Sequence, residues 1–197
     1  MAPRIGVLAI QGDVREHLSA LRRCGASAVP VKTAQELADL AGLVIPGGES
    51  TTMSILAVRN GLFSPLRRMM REGVPMFGTC AGLIMLADRI ADGRPDQQTI
   101  GGLAITAQRN AFGRQVDSFE TDLDVPLIGG PTLRAVFIRA PLVVSVDPGV
   151  EVLAQIPEDG RIVAVRNQSL LATSFHPELT PDTRVHQVFV DMVTAAT

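Results

Sequence analysis

The sequence predicts an α/β fold: an open mixed sheet, mostly parallel, flanked by helices. Two observations carry this expectation. Through the first half of the chain short apolar runs alternate with amphipathic helical stretches, which implies parallel strands joined by right-handed crossovers. Beyond about Gly101 the texture changes to short strand-like runs separated by turn residues, which implies antiparallel strands added to or beside that sheet. The chain has 197 residues, 46% of them hydrophobic, and reads as a single domain over 1–197 with a substantial core.

The elements follow in order. RIGVLAI, Arg4–Ile10, is a short apolar run suited to a strand buried on both faces. Asp13 and Glu16 form a D-x-x-E helix start; Val14, Leu18 and Leu21 share one helical face, and Gly25 ends the helix. SAVPV is a second strand. Thr33 and Glu36 repeat the start signal ahead of Leu37 and Leu40. GLVIP, Gly42–Pro46, is a third strand, and a helix begins near Ser50. SPLRRMMREG opens with Ser-Pro and stops at Gly73, as a helix does. VPMF is the next strand, followed by a helix from Ala81 to Ala91. In the second half LRAVFI, LVVSV, VEVLAQI, RIVAV and LLATSF read as strands. Thr180–Pro181 opens a last helix, with Val185, Val188, Phe189 and Met192 on one face. Ligands of open α/β sheets bind at the carboxyl ends of the strands. That rule brings Cys80, the residues after Pro46, and His176 to one rim.

Composition narrows the function classes. A net charge of −2 provides no basic field for nucleic acid or an anionic membrane. No apolar run reaches the ~18–20 residues of a membrane span. The apolar part of the N-terminus is about six residues with no small-residue cleavage site after it, so it does not read as a signal peptide. Two cysteines make neither a disulfide framework nor a zinc site, and a reducing, cytoplasmic location is the economical reading. Trp and Tyr are absent, which argues against base stacking as an activity.

The chemistry-bearing stretch is FGTCAGL, residues 77–83. Its G-x-C-x-G pattern, strand before and helix after, is the thiol version of a nucleophile elbow. Gly78 and Gly82 allow the sharp turn, and the Ala81 N–H is left free at a helix N-terminus, whose field favours a thiolate. The bland alternative is a small buried hydrophobe, which is also the reading for Cys24. A nucleophile needs a base and the base an orienter. His176 follows an apolar strand, and Pro177 biases it toward extended geometry. Glu178, two residues on, then points the same way and can hold the imidazole Nδ1–H; a strand-end histidine beside a solvent-facing glutamate is the alternative. His17 and His186 lie among charged neighbours on amphipathic helices and are expected at the surface. In IPGGESTT two glycines let backbone N–H groups turn toward a ligand. No G-K-[ST] follows, so a phosphate loop fits poorly. An oxyanion cradle fits better, with one N–H from Gly48 and one from Ala81, each worth on the order of 10²–10³ in rate.

Cys in G-x-C-x-G, an upstream P-G-G loop and H-P-E near the C-terminus together resemble the class I (triad) glutamine amidotransferases. LAIQGDVREH (Leu8–His17), PGGESTT, GTCAGL, RNAFGRQVDSFE (Arg109–Glu120), FIRAP (Phe137–Pro141) and SFHPEL narrow the resemblance to the glutaminase subunits of two-component pyridoxal 5′-phosphate synthases. The resemblance implies a flavodoxin-like three-layer fold and hydrolysis of L-glutamine to glutamate and ammonia. It further implies delivery of the ammonia to a separate synthase subunit of the PdxS type, with no cofactor or metal of its own. By the same carry-over Cys80, His176 and Glu178 form the triad; Gly47, Gly48 and Glu49 line the glutamine and oxyanion site; and Arg109, Ile138 and Arg139 contact glutamine. Gln11 and Gly12 match the segment near the partner, although a plain strand-to-helix turn also explains them. Another cysteine hydrolase on the same fold, or a non-catalytic module that binds the synthase, are the competing readings.

Overall fold

The computed structural model describes residues 1–94, 96–109, 111 and 118–197. Its first half runs β1 (Arg4–Leu8), α1 (Val14–Arg23), β2 (Ser27–Val31), β3 (Gly42–Ile45), α2 (Ser50–Arg59), α3 (Phe63–Arg71), β4 (Met76–Thr79) and α4 (Ala81–Leu86). The second half runs β5 (Ala87–Ile90), β6 (Leu103–Gln108), β7 (Ser118–Leu123), β8 (Leu133–Ile138), β9 (Leu142–Val146), β10 (Glu151–Gln155), β11 (Ile162–Arg166), β12 (Leu170–Thr173) and α5 (Arg184–Ala196). Ten strands form one sheet in the order β2-β1-β3-β4-β12-β11-β9-β6-β5, with β10 on β11. From β2 to β12 every pairing is parallel. Beyond β12 the strands pair antiparallel until β5 joins β6 in parallel. The mixed sheet of the sequence reading is therefore present, its parallel half contiguous. A separate hairpin, β7 with β8, runs in register from Ser118↔Ile138 to Leu123↔Leu133.

Alternation along the central strands sends side chains to two cores. Ile5 and Val7, Val44 and Phe77 face α1, α5 and the hairpin. Leu8, Leu43, Ile45 and Met76 face α2, α3 and α4. Both faces are covered, which is why these strands read as unbroken apolar runs. Among the described residues no helix is long and apolar enough to cross a membrane.

Several elements differ from the expectation, each for a physical reason. The helix expected over Ala81 to Ala91 ends at Leu86, because Ala87–Ile90 pairs with β6 and the Met85 carbonyl accepts the Ile100 N–H at 2.7 Å. Thr33–Leu40 yields only a 3-10 turn over Gln35–Leu37. Glu36 does accept the Lys32 and Thr33 N–H groups as the start signal implies, but Ala38 is already extended and Asp39 has φ of 61°. The last helix begins at Arg184, where Asp182 rather than Thr180 takes the free N–H. Asp13 stands at the N-cap of α1 without capping it. His17 and His186, expected at the surface, are fully buried. They lie inside the apolar arcs of α1 and α5, one turn from Leu21 and from Phe189 and Val190, and the charged residues beside them in sequence face the other way.

Candidate active site

Four neighbouring parallel strands, β1, β3, β4 and β12, end on one rim, and each delivers part of the site. β1 leads to Gln11 and Asp13, β3 to Gly47, Gly48 and Glu49, β4 to Cys80, and β12 to His176 and Glu178. The chain leaves β1 toward β2 on one side while β3 lies on the other, so this is a topological switch point. The cleft there has a volume of about 400 Å³.

Cys80 is held by its backbone. Its φ of 48° and ψ of −105° form a strained turn, worth of order 1–3 kcal/mol for a non-glycine residue. Its N–H is pinned to the Thr173 carbonyl at 2.8 Å. The flanking glycines are required by packing. A Cβ on Gly78 would collide with the Gly82 backbone, and one on Gly82 with the Ile45 carbonyl. The first turn of α4 thus sits directly on β3 and β4, and the thiol emerges into the cleft.

His176 lines the same cleft as this thiol, and a Cβ on Gly47 would meet both residues, the His176 ring first and Cys80 Cβ at 3.4 Å. Its Nδ1 is 2.8 Å from Glu178 Oε1 and 3.5 Å from Asp13 Oδ2. Glu178 reaches the ring from a 3-10 turn over Pro177–Leu179 rather than from the extended segment expected, but the nitrogen it holds is the expected one. Burial disfavours the charged imidazole; the bonds to Asp13, Cys80 and Glu178 outweigh this and push His176 up to about 12. Burial pushes the Glu178 carboxyl up, opposed by the His176 bond and charge. Gly47 packs on the ring: a Cβ there would press on His176 Cε1 and stand 2.9 Å from Nδ1.

The loop carrying Gly47, Gly48 and Glu49 is braced from the end of β1. Gln11 Oε1 accepts the Glu49 N–H at 2.8 Å, and a Cβ on Gly12 would overlap the Gly47 carbonyl. Gln11 therefore lines the cleft. Glu49 caps α2 by accepting the Thr51 and Thr52 N–H groups at 3.1 and 2.7 Å. Burial raises its carboxyl, the Thr52 and Thr51 bonds lower it, and the net direction is down. Gly48 and Ala81 both line the cleft.

Across the opening stands Arg109, held by Gln97 at 3.1 Å and by Glu49 at 3.4 Å. Ile138 and Arg139 close the far wall from the end of β8. The Cys80 thiol points at the Ile138 carbonyl at 3.9 Å, and Arg139 has φ of 43°. The stretch after Arg109 lies largely outside the described residues: Asn110 and the segment 112–117 are not among them. Asp13, Gln97, Thr79 and the two buried histidines were missed from sequence. Asp13, at the N-cap of α1, is four residues before His17, a spacing that on a helix puts two residues on one side and was the available signal.

The same region offers one candidate metal group among the described residues: Asp13, His176 and Glu178, whose ligand atoms lie within 4.8 Å of one another. A ligating imidazole must be unprotonated. His176 holds its proton firmly and gives Nδ1 to Glu178, which suits acid–base work better.

The chain is similar to known proteins over nearly its whole length. The model of the SNO glutamine amidotransferase family matches residues 7–195. A pyridoxal 5′-phosphate synthase subunit PdxT from Acidothermus cellulolyticus is 60% identical over 196 residues, covering 98% of this chain and 95% of that protein. One from Nocardioides sp. is 61% identical, covering 98% and 97%. A crystal structure of a glutamine amidotransferase superposes with a TM-score of 0.89 at 47% identity, covering 96% of this chain and 98% of the other.

Proposed function

The chain belongs to the SNO glutamine amidotransferase family, and on that premise we propose that it hydrolyses L-glutamine through Cys80, His176 and Glu178. The ammonia passes to a pyridoxal 5′-phosphate synthase subunit of the PdxS type. The observation that carries this reading is the convergence of a strained cysteine, a carboxylate-held imidazole and a P-G-G loop on one cleft.

The steps follow from the residues. Because His176 binds a proton tightly, Cys80 has passed its proton to the ring as a thiolate–imidazolium pair, and the thiolate sulfur attacks the side-chain carbonyl of glutamine. The N–H groups of Gly48 and Ala81 hold the oxyanion, and His176 returns the proton to the leaving nitrogen. A glutamyl thioester remains, and water activated by the same imidazole releases glutamate. Arg109 offers a planar fork to the substrate carboxylate. Glu49 stands beside Arg109 and suits the α-ammonium group. In water at neutral pH ammonia is mostly ammonium and not nucleophilic, so a closed path into a partner is needed. The PdxT names of the relatives support a synthase as that partner. The cytoplasm, with its reduced thiols, suits a cysteine nucleophile.

The test is glutamate release from glutamine with a PdxS-type subunit present. The wild-type chain is expected to turn over, and Cys80→Ala to lose activity by at least about 10³-fold. Equal activity in the two would reject the cysteine as nucleophile. Turnover of esters or peptides, but not glutamine, would favour a different hydrolase.

A further inference from the structure

Behind the triad lies a second polar group that the reaction does not use. His17 on α1 and His186 on α5 are both fully buried on the face of the sheet opposite α4. Both rings pack edge-on against Phe77 of β4. His17 Nδ1 is 2.9 Å from His186 Nε2. Its Nε2 is 3.1 Å from Thr79 Oγ1, on the residue before the nucleophile, and 3.5 Å from Glu178 Oε1. That same Glu178 oxygen holds His176 Nδ1. A continuous line of polar contacts thus runs from His176 through Glu178 and His17 to His186.

The direction of the protons along this line can be argued. Burial, then the neighbouring His186 and His176, push His17 well below its ordinary value. Burial, then Arg23, push His186 down to about 4. Both rings are neutral at neutral pH, so each carries one N–H. Among the described residues His186 Nδ1 has no hydrogen-bond partner. If His17 donated to His186, that orphan would be a buried N–H, and His17 would present a bare lone pair to a carboxylate. If His186 Nε2–H donates to His17 Nδ1, the orphan is only a lone pair and His17 Nε2–H faces Thr79 and Glu178. The second arrangement is the cheaper, since a buried unpaired donor forfeits the full desolvation cost.

We propose that His17 is a positioning residue for the catalytic base: its Nε2–H, oriented by His186, keeps the Glu178 carboxylate charged and fixed against His176. Both side-chain contacts of the carboxylate are on Oε1; among the described residues Oε2 is buried without a hydrogen-bond partner. The His176 bond, at the rim, is the carboxylate's single strong contact among the described side chains. The charged groups facing it are His176 and Asp13, with Arg23 beyond His186. His17 supplies a dipole from the protein interior, on the side away from the cleft, where no substrate or water competes.

The proposal rests on the glutaminase reading, and its test separates the two. The chain, bound to its synthase subunit, is labelled with ¹⁵N-histidine and assayed for glutamate release against pH. The His17 resonances are expected to be those of the neutral Nε2–H form from about pH 5 to about 8. His17→Leu is expected to lower kcat roughly 10–100-fold, the usual cost of losing an outer hydrogen-bond partner, with KM little changed. Its acid limb should move to higher pH, because a carboxylate without that N–H takes a proton more readily. His17→Gln, whose amide N–H reaches the same place, should restore most of both. If His17→Leu does not fold, His186→Leu serves: a smaller fall in kcat, the same direction of the limb, and a mixed His17 tautomer are expected. A proton on His17 Nδ1, or a wild-type limb and kcat in either folded variant, would overturn the proposal. Failure of the wild-type chain to release glutamate would instead reject the glutaminase reading, and the tautomer would still decide the role of His17.

Discussion

Gly47 puts a hydrogen where any other residue would put a carbon against the His176 ring. The consequence is specific. Gly47→Ala must push the imidazole off the line between Cys80 and Glu178, since Glu178 is buried and cannot follow. Misplacement of a reacting group by about 1 Å can cost on the order of 10² in rate. The expected result is a loss of kcat of about that size in a chain that still folds, read by glutamate release alongside a circular dichroism melt. The P-G-G motif was legible in sequence as a loop that turns amides toward a ligand. Its packing against the His176 ring was not, because nothing in the primary order brings residue 47 to residue 176. The three residues proposed as a triad stood out in sequence through local chemistry: a small-residue frame around Cys80, and a carboxylate two residues from His176. The extended geometry invoked for that spacing is replaced by a 3-10 turn, but the contact it was meant to explain forms at 2.8 Å.

The strained turn at Cys80 stands on the join of β3, β4 and α4. Six residues of α4, all buried, lie so close to the strands that Gly82 touches the Ile45 carbonyl. Backbone cannot give way as a side chain can, so Gly82→Ala is expected to cost about 3 kcal/mol, the upper part of the usual overpacking range. A urea melt read by far-ultraviolet circular dichroism checks this; an unchanged midpoint would mean that α4 sits further from the sheet. The same join explains why α4 is short. Its apolar residues fit a longer helix by periodicity, but residues 87–90 gain more by pairing with β6. Strand pairing between residues far apart is a tertiary choice that local propensity does not record. The parallel strands, by contrast, were legible because burial on both faces writes an unbroken apolar run.

The whole molecule carries its charge balance as a pH dependence. His17 and His186 are buried neutral, so the unfolded chain binds protons that the folded one refuses. Stability is then lost as pH falls below about 6.5, and His186 alone accounts for about 3 kcal/mol once pH is near 4. His176 works in the opposite sense. Its raised value gives a contribution that is full below about 6.5 and declines as pH rises toward 12. Thermal melts across pH should show the acid-side loss, and His186→Leu should flatten it; an equally steep fall in that variant would assign the loss to other groups. The two histidines escaped the sequence reading because their charged neighbours outweighed the apolar arc in which each sits. Only the packing of α1 and α5 over Phe77 joins them. The proposed reaction, finally, depends on residues from four strand ends lining one cleft around Cys80. Acid quenching of the synthase-bound chain during turnover of glutamine, followed by peptide mass spectrometry, tests this most directly. The peptide holding Cys80 is expected to carry one glutamyl group, released by hydroxylamine and absent in Cys80→Ala. Steady glutamate release with no adduct on Cys80, or with the adduct on another residue, would contradict it.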